Sequence, residues 1–190
     1  MSERDSQNIF RRLETENLTL KPLETSDKEF IFKQFSDPEV TRYLVDDEPM
    51  TSIENAEEMI DFYTGPEAST RNRWIIIRKS DNEPIGTCGY HIWNKKDNIC
   101  ETGYDLSPAY WGKGYMTEAM RRVITTGFED MGLNRIQAFV DVRNTRSANL
   151  ALRLGFTQEG IIRDRHFFRG EYYDHYCFSL LKREWGLKSS

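Results

Sequence analysis

Along the chain, stretches whose apolar residues recur every second position alternate with stretches where they recur every third or fourth. Residues 13–23 (LETENLTLKPL) alternate in part and predict a short strand around Thr19-Leu20. Ser26 or Asp27 then caps a predicted helix to about Phe35, with Phe30, Ile31 and Phe35 as its apolar side, and Asp37-Pro38 stops it. A loop follows around Asp46-Asp47-Glu48-Pro49. Ser52 caps a second helix, in which Ala56, Met59, Ile60 and Tyr63 keep helical spacing until Gly65-Pro66. From Arg73 the texture changes: WIIIR predicts a buried strand. Residues 84–93 predict a second, beyond an Asp81-Asn82 turn, and residues 98–106 a third, beyond Asn94-Lys95-Lys96-Asp97. Together they read as an antiparallel meander.

The stretch YWGKGYMT (110–117) comes next, followed by the longest apolar stripe in the chain: Tyr115, Ala119, Met120, Val123, Ile124, Phe128 and Met131. Gly132 is its expected C-terminal cap. Residues 135–142 alternate as a strand, with Ile136, Ala138 and Val140 on one face. A strand, a helix and a strand in that order imply a parallel crossover. A further helix over 145–154 ends at Gly155, and two aromatic-rich strands, 161–168 and 171–181, flank an Arg169-Gly170 turn. The expected class is α+β, one mixed sheet of about seven strands with helices on both faces. No repeat or linker is visible, so a single domain over 1–190 is expected.

Composition narrows the function. The chain has 190 residues, 38% hydrophobic and 30% charged, with a net charge of −5, which is globular rather than disordered. An acidic balance argues against a nucleic-acid partner. No run of about 18 apolar residues predicts a membrane span, and MSERDSQNIFRRLE lacks the apolar stretch of a signal peptide, so the expected location is cytoplasmic. Cys88, Cys100 and Cys177 show no CxxC spacing, and His91, His166 and His175 no HExxH pattern. Reduced core thiols and no metal site are expected.

The glycines of YWGKGYMT raise the chemical question. Gly112 and Gly114 stand between a strand and an amphipathic helix, where glycine has an entropic cost. A helix N-terminus presents unpaired N–H groups and a positive dipole end, and a glycine approach lets a phosphate come close to them. Neither a Walker loop nor a dinucleotide GxGxxG fits the spacing. A tight strand-to-helix turn with no ligand is the competing reading.

The stretches LETENLTLKPL, ETGYDLSPAYWGKGYMTEAM and VRNTRSANLALRLGF, in this order, resemble the GNAT superfamily of acetyl-CoA-dependent N-acetyltransferases, and in detail its RimJ/RimL-like group, which acetylates the N-terminal alanine of ribosomal proteins. The resemblance covers residues 13–185. It implies a splayed pair of parallel strands holding coenzyme A, with the pyrophosphate at Gly112, Lys113, Gly114, Tyr115, Met116 and Thr117. It further implies that Leu106 pairs with the pantetheine arm and that Asn144 contacts it. The family signature has Gln or Arg where this chain has Trp111, and Gly or Ala where it has Met116, whose side chain is expected to crowd the pyrophosphate. Many relatives carry a tyrosine as general acid where this chain has Ala151.

Amine acetylation needs a neutral amine, a stabilised oxyanion and a proton for the departing thiolate. Alternation places Ile99, Glu101, Gly103 and Asp105 on one strand face, and Cys100, Thr102, Tyr104 and Leu106 on the other. Glu101 is the candidate base, its alternative being a structural carboxylate bound to a neighbouring strand. A hairpin centred on Lys96 sets His91 opposite Glu101, a possible proton relay. Ser147, a position where the resemblance implies a thiolate-protonating serine, is the candidate acid, or else an ordinary capping serine. Tyr104 falls on the face opposite Glu101 and is set aside. Asp46, Asp47 and Glu48 could attract a cationic amine. In the final hairpin the turn pairs Arg165 with Asp174 and Asp164 with His175. The expected activity is acetyl transfer by direct attack to a primary amine, a protein N-terminus in the first instance. The alternatives are a small-molecule amine such as an antibiotic or polyamine, and a non-catalytic acyl-CoA-binding module. A monomer or homodimer is expected.

Overall fold

A computed structural model describes residues 9–45, 48–65 and 68–188, and the side chains as far as residue 186. Asp46, Asp47 and Pro66 lie outside the described residues. Strands β1 (Leu13–Glu14), β2 (Leu18–Pro22), β3 (Asn72–Arg78), β4 (Glu83–Asn94), β5 (Ile99–Leu106), β6 (Arg135–Asp141), β7 (Thr157–Phe168) and β8 (Glu171–Leu181) form one sheet. Its order is β1-β2-β3-β4-β5-β6-β8-β7. All pairings are antiparallel except β5 with β6, which is parallel.

Eight strands stand where seven are expected, because residues 13–22 fold as a hairpin rather than one strand. Its turn is held from outside: Glu118 accepts from Thr15 Oγ1 at 2.6 Å and from the Asn17 backbone N–H at 2.7 Å. The helices are α1 (Lys28–Ser36), α2 (Pro38–Thr41), α3 (Ile53–Thr64), α4 (Tyr115–Glu129), α5 (Thr145–Arg153) and α6 (Lys182–Lys188). Alternation along β3 divides the core. Ile75 faces α1 and α3, packing with Ile31, Phe35 and Ile60. Trp74 and Ile76 face α4, packing with Met120, Val123 and Phe128. Each such fully buried side chain is worth about 1.5–3 kcal/mol, and the two apolar layers clamp β3–β5 from both sides.

α1 starts at Lys28 with Asp27 in the N-cap position, one of the two expected caps, but the Asp27 side chain makes no cap bond there and instead caps the preceding 3-10 turn Thr25–Asp27 reciprocally with Glu24. Ser52 and Asn55 make the reciprocal cap of α3. Beyond Glu129, Gly132 takes φ +69°, the left-handed conformation that ends the α4 segment.

Candidate active site

Gly114 is the N-cap residue of α4, at φ +85°, and Gly112 has φ +74°. A side chain at either position would be strained, while a Cβ built there would meet nothing within 4 Å. The glycines are thus needed for the backbone path and leave open space above it. The first helical bond returns from Glu118 N–H to Gly114 O, so the N–H groups of Tyr115, Met116 and Thr117 head the helix without intrahelical acceptors. Met116 turns inward into the core at 8% exposure, which overturns the expectation that its side chain crowds the loop. Lys113 and Gly112 are exposed on the rim.

β5 and β6 pair only over Ile99–Glu101 and then diverge. Ser107 N–H donates to Ile85 O in β4. Alternation therefore turns the backbone groups of Thr102, Tyr104 and Leu106 toward the gap between β5 and β6. Within it, the Trp111 indole N–H donates to Leu106 O at 2.7 Å, while the Arg146 guanidinium stacks 3.7 Å from the Trp111 ring centroid. Trp111 thereby takes the Leu106 carbonyl and leaves its N–H facing the gap.

Across the gap stands α5. Asn144 is its N-cap, accepting from Ser147 N–H at 3.1 Å, so the cap is the asparagine and not the serine. The Ser147 hydroxyl is free for another partner and lies 2.9 Å from Tyr104 OH. Burial, eased in part by that bond, pushes the Tyr104 phenol up to about 12. Alternation puts Tyr104 on the other face of β5 from Glu101, and that placement is what brings it to Ser147. Ala151 is 2% exposed and packs inside the core.

On the opposite face of β5 lies a cavity of about 1120 Å³, whose lining includes Glu101, His91, Tyr63, Arg165 and also Tyr104 and Ser147. Glu101 lies 3.8 Å from Arg165. Arg73 is the hub beside it. It donates to Asp105 at 3.1 Å, to Thr87 Oγ1 at 2.7 Å and to Tyr63 OH at 3.0 Å. Tyr63 OH is 2.7 Å from His91 Nδ1. Burial and the Arg73 charge push His91 down to about 3, so it stays neutral.

Three expected cross-strand pairs are absent from the ladders. β4 bulges between Tyr90 and Trp93, so the pairing jumps from Tyr90–Thr102 to Trp93–Cys100 and no His91–Glu101 pair forms. The lowered pKa of His91 disfavours the imidazolium that a relay with Glu101 would pass through. β7 bulges between Ile162 and His166, with Asp164 at φ +51°, so Ile162 and not Asp164 stands opposite His175. Arg165 is freed from Asp174 and turns over Phe139, 3.5 Å from its ring centroid. His166 and His175 meet edge to face at 5.1 Å. Cys88 and Cys100 are buried, and burial raises their thiols, which suits packing and not nucleophilic attack. Among the described residues no cluster of three His, Cys, Asp or Glu is placed to hold a metal, and no helix is long and apolar enough to cross a membrane.

Comparison with known proteins places this geometry. The profile of the acetyltransferase (GNAT) domain matches residues 17–157. An uncharacterised N-acetyltransferase of Bacillus licheniformis, p20, is 41% identical over 174 residues, 91% of this chain and 97% of that protein. YdaF of Bacillus subtilis, provisionally named a ribosomal N-acetyltransferase, is 36% identical over 105 residues, 55% of this chain and 57% of that protein. Among solved structures, the spermidine N-acetyltransferase of Vibrio cholerae in complex with CoA and spermine superposes with a TM-score of 0.80 at 23% identity, covering 90% of this chain and 99% of that one. An open glycine path at a helix N-terminus, a splayed parallel pair and a carboxylate-lined cavity beneath it therefore occur in a chain that belongs to the GNAT acetyltransferase family and is an N-acetyltransferase.

Proposed function

We propose that the chain transfers acetyl from acetyl-CoA to a primary amine by direct attack, and that the amine is a protein N-terminus, as in the RimJ/RimL-like group. One observation carries the reading: a single cavity is lined by Glu101 from one face of β5 and by the Tyr104–Ser147 hydroxyl pair from the other. A base and an acid thus flank one space. The backbone N–H groups of 112–117 would hold the pyrophosphate, for which the open space above Gly112 and Gly114 leaves room. The gap-facing backbone of Tyr104 and Leu106 would pair with the pantetheine arm, with the Asn144 amide donating from across the gap. Acetyl-CoA supplies the thioester. Glu101 takes a proton from the amine as its nitrogen attacks the carbonyl carbon. Ser147, backed by the Tyr104 phenol, gives a proton to the sulfur as the carbon–sulfur bond breaks.

The charges of the cavity favour a peptide over a polyamine. Of its five lining carboxylates, Asp105 is matched by Arg73, Asp141 by Arg143, Glu101 by Arg165 and Glu48 by Arg169, which leaves Glu58 as the one with no ion pair among the described residues. A polycation needs unmatched carboxylates, whereas a peptide end offers one amine beside carbonyl acceptors. The one-sheet architecture also favours the expected single domain over 1–190. The test is CoA thiol release from acetyl-CoA with peptides beginning in Ala or Ser, with spermidine and with an aminoglycoside. Turnover on the peptides supports the reading. Turnover on spermidine alone replaces the acceptor class, and no release with any amine favours a binding module.

A further inference from the structure

The Arg73–Tyr63–His91 chain fixes a tautomer. A guanidinium only donates, so Tyr63 OH accepts from Arg73. The phenol has one hydrogen of its own, and among the described residues its other partner is His91 Nδ1. If Nδ1 carried the imidazole proton, the phenol would receive two donors and its hydrogen would have no acceptor. The assignment that satisfies every group has Tyr63 donating to Nδ1, which puts the imidazole proton on Nε2. The bulge between Tyr90 and Trp93 turns the ring over β5, where a Cβ on Gly103 would fall 2.1 Å from Nε2. Glycine at 103 is what admits the ring. Nε2 therefore lies on the β5 face between Glu101 and Asp105, along the cavity wall, and has no hydrogen-bond partner among the described residues.

We propose that His91 is a specificity-determining residue: a single-tautomer Nε2–H donor that binds a carbonyl oxygen of the acceptor next to Glu101. This rests on the acetyl-transfer reading and deepens it. Tyr63 and, through it, Arg73 back the ring, while Glu101, Asp105 and Arg165 line the same cavity. A donor backed by Arg73 repels an ammonium, which has donors only, and welcomes an oxygen lone pair. An acceptor with a carbonyl close to its amine meets that requirement; an alkylamine does not.

The test has two arms on the full chain. Long-range proton–nitrogen correlation spectra of the ¹⁵N-labelled protein should show His91 with a protonated Nε2 and an accepting Nδ1, unchanged from pH 5 to 8. Tyr63→Phe should mix the tautomers. An Nδ1–H tautomer, or titration near the ordinary histidine value of about 6.5, would overturn the proposal. In the second arm an N-acetylated alanyl peptide is titrated into the same sample and should shift the His91 Nε2 proton; an unmoved signal on a bound peptide contradicts it. Kinetically, His91→Phe should raise KM for an alanyl peptide about tenfold and leave KM for a carbonyl-free alkylamine unchanged, with His91→Gln partly restoring the peptide. Equal effects on both acceptors would contradict the proposal. If the Nε2 proton responds to peptide while no acetyl group is transferred, the functional reading fails and this assignment stands.

Discussion

The two ends of the site are built by different means. The proposed cofactor end is backbone: six consecutive residues, two with positive φ, at the head of one helix. The proposed acceptor end is side chains brought from far apart, Tyr63 on α3, Arg73 on β3, His91 on β4, Glu101 on β5 and Arg165 on β7. A backbone site tolerates changes of side chain, which is why Trp111 and Met116 can replace the family's usual residues while Gly112 and Gly114 keep their conformations. A side-chain site depends on register, and one bulge rewires it.

Substitutions at the two ends should therefore fail differently. The largest effect is expected at Glu101. If it is the base, Glu101→Gln should lower kcat/KM by about 10² to 10⁴, the range of general-base catalysis. The loss should shrink as pH rises and the amine deprotonates unaided; a pH–rate profile parallel to the wild type would remove Glu101 from the mechanism. At the other end, Gly114→Asp places a carboxylate at the predicted pyrophosphate position and a side chain at φ +85°. Acetyl-CoA affinity should fall more than about tenfold, or 1.4 kcal/mol, in a protein whose circular dichroism stays folded. Calorimetry checks it.

Between the two ends, Ser147→Ala and Tyr104→Phe should each lower kcat severalfold and leave acetyl-CoA affinity nearly unchanged, as expected for a contact made in the transition state. Asn144 carries the helix cap, so the stability cost of Ser147→Ala should stay near the ~1 kcal/mol of one hydrogen bond. Full kcat in either variant would end the acid assignment. The smallest effect is expected at the base of the last hairpin. The Arg135 guanidinium, bonded to Glu159 at 2.7 and 2.6 Å, holds that carboxyl down at about 2. A depressed folded value means the stabilisation is present above the unfolded value of about 4.5 and fades as pH falls toward 2. The pair is partly exposed, so Glu159→Gln should cost under about 1 kcal/mol at pH 7. The gap should close near pH 2–3 in thermal melts, with kcat unaffected.

The same contrast governs what could be read from the sequence. The helices, the meander and the glycine turn follow from local periods and caps, as with Ser52–Asn55 and the stripe from Tyr115 to Phe128. The hairpin of residues 13–22 reads as one strand in the sequence because its turn is fixed by Glu118, about a hundred residues away. Counting from a turn pairs His91 with Glu101 and Asp164 with His175, and counting fails where a bulge adds a residue. Tyr104 was set aside for its strand face, because alternation within β5 says nothing of α5 lying across the gap. Arg73 and Tyr63 read as ordinary strand and helix positions in the sequence; a charged residue opening a buried apolar run is the available signal of a buried hub.

The central claim is that acetyl-CoA is bound by the local backbone and the amine by the assembled side chains. A two-substrate kinetic grid on the wild type, Gly114→Asp and Glu101→Gln tests it most directly. The account predicts that Gly114→Asp raises the acetyl-CoA dissociation constant more than about tenfold and leaves the acceptor KM at saturating acetyl-CoA unchanged. It predicts that Glu101→Gln lowers the rate with the acetyl-CoA constant unmoved. A Gly114→Asp protein that is folded yet binds acetyl-CoA normally, or a Glu101→Gln protein that loses acetyl-CoA affinity, would contradict it.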